Sequence, residues 1–321
     1  MTLTRIVRLL WSGYDIRNLV AEYFLKGYKT RVQWNRIEEC LKLKIDNGLI
    51  LPNKLKTALH ILVNPIGARI KDFVVNLYGN DYVPSHFMGV LSWTFLGIID
   101  TKKTAKAIIS DENLLITKRY EIACTYCLKD EILMLWRELS ETYKNNYLIL
   151  SGPIYTLHYL PIYWTYYMMI ELNRLDRKIR YEYPETMNCH CFGALYAGID
   201  VNQVALEYFI GKMTVEEKEQ YFQRYFQTLE ARRISTIHAF GDIYSCDITY
   251  FLLSQMNENQ RKSIFQKYAY LILKIFLKFP YGGMFFEFES VLREFLTVDL
   301  IEDLEEQYQE TSNYFCFRNI R

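Results

Sequence analysis

What the chain lacks narrows its function first. It has no excess of either charge: 38 Lys and Arg stand against 37 Asp and Glu, a formal net charge of +1. Nucleic-acid binding is therefore not favoured, because no surplus of cations is present to displace counterions from phosphates. No stretch of useful length alternates apolar and polar residues between hairpin turns, which argues against strands. The motifs G-x-S-x-G, H-E-x-x-H, G-x-x-x-x-G-K-[ST] and G-x-G-x-x-G are all missing. The five His are scattered, none with an acidic or nucleophilic residue at a recognisable spacing. No catalytic residue, cofactor or metal ligand is assigned on this basis, and no enzymatic activity is expected. The N-terminus lacks a cleavable leader pattern, since Arg5 and Arg8 interrupt its short apolar run. Seven Cys, an odd number, then suggest reduced thiols and a cytoplasmic setting.

What is present is core material and a repeat. Half the residues are hydrophobic and 16% are aromatic, 27 of them Tyr, which is too rich for disorder. Residues 205–225 (ALEYFIGKMTVEEKEQYFQRY) match residues 248–268 (ITYFLLSQMNENQRKSIFQKY) at an ungapped offset of 43. Thr214 falls on Asn257 and Glu217 on Gln260, so each copy carries a capping box: a helix-capping side chain with a reciprocating one three residues on. An apolar run precedes each cap and helically spaced aromatics follow it. Each copy therefore predicts a helix, a tight turn and a capped helix. Such a hairpin cannot cover its own apolar side and must stack on a neighbour. The expected fold is all-α, an α-solenoid of stacked helix-turn-helix pairs with a repeat of about 43 residues.

Along the chain, residues 1–85 form an N-terminal helical region and a candidate cap, residues 86–300 the array, and residues 301–321 an acidic C-terminal segment. Arg31 to Leu43 carries an apolar stripe at helical spacing. Pro52 suits a helix start, whereas Pro65-Ile66-Gly67 predicts a break. A helix is expected from Phe87 to a junction near Asp100, with another after it burying Ala105, Ile108 and Ile109.

Three groups are candidates for function. Leu148 to Ile170 has no charged residue and is long enough for a bilayer span, but Pro153, Pro161, His158 and its five Tyr and one Trp favour a protein setting. Its two halves read first as short buried helices, and if a partner surface lies here Tyr155, Tyr159, Tyr163 and Trp164 are its candidates. Cys189-His190-Cys191 gathers three possible metal ligands, yet adjacent residues rarely converge on one tetrahedral ion; a fourth ligand would have to come from elsewhere, with Cys246 and His238 as candidates. Cys124-Thr125-Tyr126-Cys127 is a CxxC placed inside a helix rather than at its start, so the thiols read as core. The acidic clusters Glu216-Glu217 and Glu302-Asp303-Glu305-Glu306 read as solvated faces. Thr57-Ala58-Leu59-His60 and Ser235 to Ala239 echo an ankyrin signature, although the period here is not the ankyrin one.

Several stretches carry a resemblance: Trp93 with Ile99-Asp100 and Lys103 to Lys106; Arg119-Tyr120, Ala123-Cys124, Tyr126-Cys127 and Leu135-Trp136; then Phe251 to Asn257 and Phe279-Pro280. On these residues the chain resembles the lineage-expanded helical-repeat proteins, ankyrin- or armadillo-like, of arthropods and spiders especially. The similarity covers most of residues 85–300. It implies a helical array and brings no activity with it. The function expected is a non-enzymatic protein–protein interaction module with a protein partner. The alternative is a membrane-associated protein anchored through residues 148–170.

Overall fold

The capped helix starts anchor the fold. In the computed structural model Thr214 and Glu217 exchange hydrogen bonds, Glu217 N to Thr214 Oγ1 at 3.2 Å and Thr214 N to Glu217 Oε2 at 2.8 Å. Asn257 and Gln260 do the same at 2.9 and 3.0 Å. Both capping boxes thus form as the sequence predicts, each satisfying two otherwise orphaned amides. The structure describes residues 3–25, 31–78, 83–84, 86–94, 96–148, 159–183, 188–234 and 245–312.

Among these residues the chain is all-helical, without strands. The helices are α1 (Leu3–Trp11), α2 (Tyr14–Leu25), α3 (Arg31–Gly48), α4 (Asn53–Tyr78), α5 (Phe87–Val90), α6 (Thr101–Ile109), α7 (Ile116–Thr125), α8 (Lys129–Glu138) and α9 (Glu141–Asn146). There follow α10 (Tyr159–Met168), α11 (Leu172–Glu182), α12 (Cys189–Ile199), α13 (Gln203–Ile210), α14 (Val215–Ile234), α15 (Ser245–Gln255), α16 (Glu258–Phe276), α17 (Phe285–Leu292) and α18 (Val298–Ser312). They divide into two units. The first comprises residues 1–104, 279–285 and 301–321, and the second residues 105–278 and 286–300. The expected boundary at residue 85 therefore moves to Thr104, and the segment after residue 300 joins the N-terminal unit.

In the first unit α4 overturns the expected break at Pro65. It runs unbroken through that proline, burying Leu59, Leu62, Val63, Ile66, Ile70, Phe73 and Val74 on one face. Continuous packing outweighs a proline cost of about 3 kcal/mol. Gly67 has a different job from chain breaking: a methyl group there would overlap the Trp11 ring. The Trp11 indole donates to Val63 O at 3.3 Å and stacks on Trp34 of α3 at 5.5 Å. The helix expected from Phe87 to Asp100 also fails, ending at Val90. Beyond it the backbone turns through Gly97 at φ +83°, with Trp93 bridged to Ile99 and Asp100 N donating to Ser92 O. A positive φ of this kind favours glycine, while the helix itself ends where Leu91 turns extended at φ −62°, ψ 116°. Within the described part of the acidic segment, Tyr308 of α18 stacks on Phe285 at 4.9 Å.

The second unit repeats one turn. α7 ends with Cys127 at φ 49°, Leu128 N donating to Ala123 O at 2.9 Å and Cys127 N to Cys124 O at 3.1 Å. α10 ends with Ile170 at φ 60°, Glu171 N donating to Tyr166 O at 2.9 Å and Ile170 N to Tyr167 O at 3.1 Å. Left-handed closures of this type satisfy the last helix carbonyls. The helices that follow each turn, α8 and α11, begin at residues 129 and 172, and α14 and α16 begin at 215 and 258. Four starts therefore fall on one register. α13 lies against α15 and α14 against α16, where Phe226 stacks on Tyr268 at 5.7 Å and Gln223 Nε2 donates to Ser263 Oγ at 3.2 Å. α12 packs closely on α13, and Gly193 makes this approach possible: a methyl group there would sit 2.5 Å from Phe209.

Two substitutions test this packing by urea unfolding followed by circular dichroism. Asn257→Ala is expected to cost about 1 kcal/mol through the lost cap. Gly193→Ala is expected to cost about 1–3 kcal/mol through overpacking against Phe209.

Candidate functional site

The aromatic stretch and the Cys-His-Cys run meet in the middle of the second unit. α10 is apolar on every side, so it needs neighbours all round, and Tyr159, Leu160, Pro161, Ile162, Tyr163, Trp164, Thr165 and Tyr166 are all buried. It packs on α7, α11 and α12. Tyr159 OH donates to Cys189 O at 2.7 Å, Tyr163 OH lies 3.2 Å from Tyr208 OH, and Thr165 Oγ1 lies 3.2 Å from Tyr120 OH. Tyr163 meets Phe209 edge-on at 4.9 Å, and Trp164 lies 5.1 Å from Tyr208. The tyrosine hydroxyls find partners in this dense interior, whereas Trp164 Nε1 is buried without a hydrogen-bond partner among the described residues.

This arrangement agrees with the core reading of the stretch and takes three residues out of the candidate partner surface. Tyr159, Tyr163 and Trp164 have 0% exposure and belong to the core, because burying three large rings gains more than presenting them to solvent. Tyr155 lies outside the described residues. The membrane alternative loses support as well. The described part of residues 148–170 is a ten-residue helix, and among the described residues no helix is long and apolar enough to cross a membrane.

At the start of α12 the sequence run acquires partners from two other helices. Asn188 caps the helix, accepting from His190 N at 3.0 Å and Cys191 N at 2.9 Å. Asp176 of α11 accepts from Cys189 N at 2.6 Å, and Glu217 of α14 accepts from Asn188 Nδ2 at 2.6 Å. Glu217 is thus no solvated charge. It completes the α14 capping box and ties that helix to α12. Two carboxylates at a helix N-terminus complement its dipole. Burial pushes both thiols up, Cys189 helped by Asp176, and Cys191 to about 12 with help from Glu217. Protonated thiols are poor nucleophiles and poor metal ligands. Among the described residues no group of three or more His, Cys, Asp or Glu converges as a metal-ligand set. Cys246 is committed elsewhere, its Sγ donating to Ile275 O at 3.3 Å, and His238 lies outside the described residues.

The CxxC is likewise placed by the fold. Cys124 is buried in the last turn of α7 and burial raises its thiol far above the ordinary range. Cys127, expected within the same helix, instead occupies the left-handed turn after it. Both sit at a helix C-terminus, where the dipole opposes a thiolate. Of the ankyrin echoes, His60 sits 3.0 Å from Asp46 and Ser235 to Ala239 lie outside the described residues. The roles of Asp176 and Glu217 were not readable from the sequence, since neither is near Cys189-His190-Cys191 in the chain.

No family model, curated protein or solved structure matches this chain. The fold defines it as an all-α protein.

Two measurements test this geometry. Trp164→Ala is expected to destabilise by about 3–5 kcal/mol, a core cost that a surface Trp would not show. His190 is held below its ordinary value of 6.5, first by burial and then by Lys212, with Asp176 and Glu217 opposing. The unfolded chain therefore takes up a proton before the folded one does, and stability falls as pH drops below about 6.5. His190→Gln is expected to flatten the melting temperature between about pH 7 and 5 relative to the native chain.

Proposed function

We propose that the chain is a non-enzymatic protein-interaction module, an α-solenoid of helix pairs with a period near 43 residues, acting in the cytoplasm. The observation that carries this proposal is the common register of α8, α11, α14 and α16, which begin at residues 129, 172, 215 and 258. Matching left-handed turns before α8 and α11 and matching capping boxes at α14 and α16 support it. So does the side-by-side placement of α14 on α16 and α13 on α15. A stack of this kind offers an extended surface built from one helix of each pair, and affinity then comes from area and a few anchors rather than from a reactive centre. The titrating groups with the largest shifts are buried Tyr and Cys held protonated by packing, a pattern suited to a structural interior.

Affinity capture of the tagged chain from a native lysate at physiological salt tests the proposal. A stoichiometric protein partner, retained equally by a folded Cys189→Ser/Cys191→Ser variant, is expected. Loss of the partner on removing those thiols, or recovery of membrane lipid alone, would count against it.

A further inference from the structure

The outer face of α11 differs from its inner face in a way the fold does not use. Leu175 and Ile179 are fully buried and hold the helix in place. On the opposite side Arg174, Arg177, Arg180 and Tyr181 are exposed, spread over about 10 Å at 1.5 Å per residue. Neighbouring charges are already committed: Glu171 pairs with Arg174 at 3.2 Å, and Asp176 accepts from Cys189 N. Arg177 and Arg180 have no ion-pair partner among the described residues. Tyr181 is 88% exposed.

A second feature lies in the turn just before the same helix. Ile170 occupies the left-handed turn before α11 at φ 60° and is 93% exposed, with Met169 beside it at 42%. A β-branched residue is strained in that conformation, and Gly or Asn would close the same turn with less strain. The corresponding turn after α7 uses the smaller Cys127. Val201 closes a third such turn after α12 at φ 54°, with Asn202 N donating to Ala197 O at 2.8 Å, so what sets Ile170 apart is its almost complete exposure.

Together these residues form one strip: an apolar knob, three arginines and an aromatic ring. Arg, Tyr and Met are the types enriched in protein-recognition surfaces. The charge calls for an anionic partner, and the knob calls for an apolar side chain next to the anionic groups. A nucleic acid fits less well, because the arginines are few, carboxylates interrupt them and the whole chain carries only +1. We infer that the strip Met169–Ile170–Arg174–Arg177–Arg180–Tyr181 docks an acidic segment of a partner protein, one that sets an apolar residue against Ile170 and its carboxylates against the arginines. This inference rests on the interaction-module proposal and names its surface and partner class.

The test pans a phage-displayed library of random dodecapeptides on the full chain, with an Arg177→Glu/Arg180→Glu variant as counter-selection. Acidic sequences carrying an apolar residue are expected to enrich. A selected peptide should bind the double variant roughly tenfold more weakly, with a smaller loss in Arg177→Gln/Arg180→Gln. Ile170→Gly should weaken it roughly fivefold while leaving the melting temperature unchanged or higher, a result that a purely structural Ile170 cannot give. Three outcomes would overturn the inference: no enrichment, selected peptides that bind the charge-reversed variant equally well, or a polyuridylate oligonucleotide that binds more tightly than any selected peptide. If a partner captured from lysate still binds the charge-reversed variant, the module stands and only this surface falls.

Discussion

α10 is the helix around which the second unit is built, because it has no polar side to give to water. Eight of its ten residues are buried, and Tyr159, Tyr163 and Trp164 among them have no exposed area. A helix that is hydrophobic all round has to be enclosed. α7, α11 and α12 enclose it, and Tyr208 and Phe209 of α13 close over Tyr163. The hydroxyls dictate how they do so. Each buried phenol needs a partner, and Cys189 O, Tyr208 OH and Leu148 O serve those of Tyr159, Tyr163 and Tyr166. Orientation within this core is fixed by polar tips as much as by ring shape.

The start of α12 depends on that enclosure. Tyr159 holds the Cys189 carbonyl, Asp176 holds the Cys189 amide, and Asn188 with Glu217 satisfies the next amides. Three helices, α11, α12 and α14, are thereby joined through a single helix terminus whose hydrogen-bond demands are met by the protein itself. Reactive residue types are present, but their surroundings keep the thiols protonated and the carboxylates occupied. Chemistry read from residue identity alone would have placed a metal or a nucleophile here; the hydrogen bonds assign a structural joint. The same logic applies to Cys124 and Cys127, which lie where a helix dipole disfavours thiolate.

The shared register of helix starts does not require matching residues. Cys127 and Ile170 share a turn geometry and the same hydrogen-bond pattern, yet no glycine marks either position. Thr214-Glu217 and Asn257-Gln260 share a capping box in different residue types. What recurs among the described residues is the spacing of the helix starts at residues 129, 172, 215 and 258. Side chains are then free to diverge on the outer faces. On α11 that freedom produced arginines and an exposed Tyr181, where α14 carries Glu217 in its cap.

The sequence by itself determined the helical class, the two capping boxes, the buried side of α6 at Ala105, Ile108 and Ile109, and the succession of a short helix and a capped helix in α13–α14 and α15–α16. These follow from interactions between residues a few positions apart, which the local sequence specifies. It missed the continuation of α4 through Pro65, the ending of α5 before Gly97, and the turn at Cys127, because in each case distant packing or a backbone conformation outweighed local preference. The burial of Tyr159, Tyr163 and Trp164 and the gathering of Asp176, Asn188 and Glu217 around Cys189 were decided only by tertiary structure. An aromatic stripe looks the same in sequence whether it faces a partner or a neighbouring helix, and carboxylates far along the chain become ligands of a helix start only once the helices are stacked.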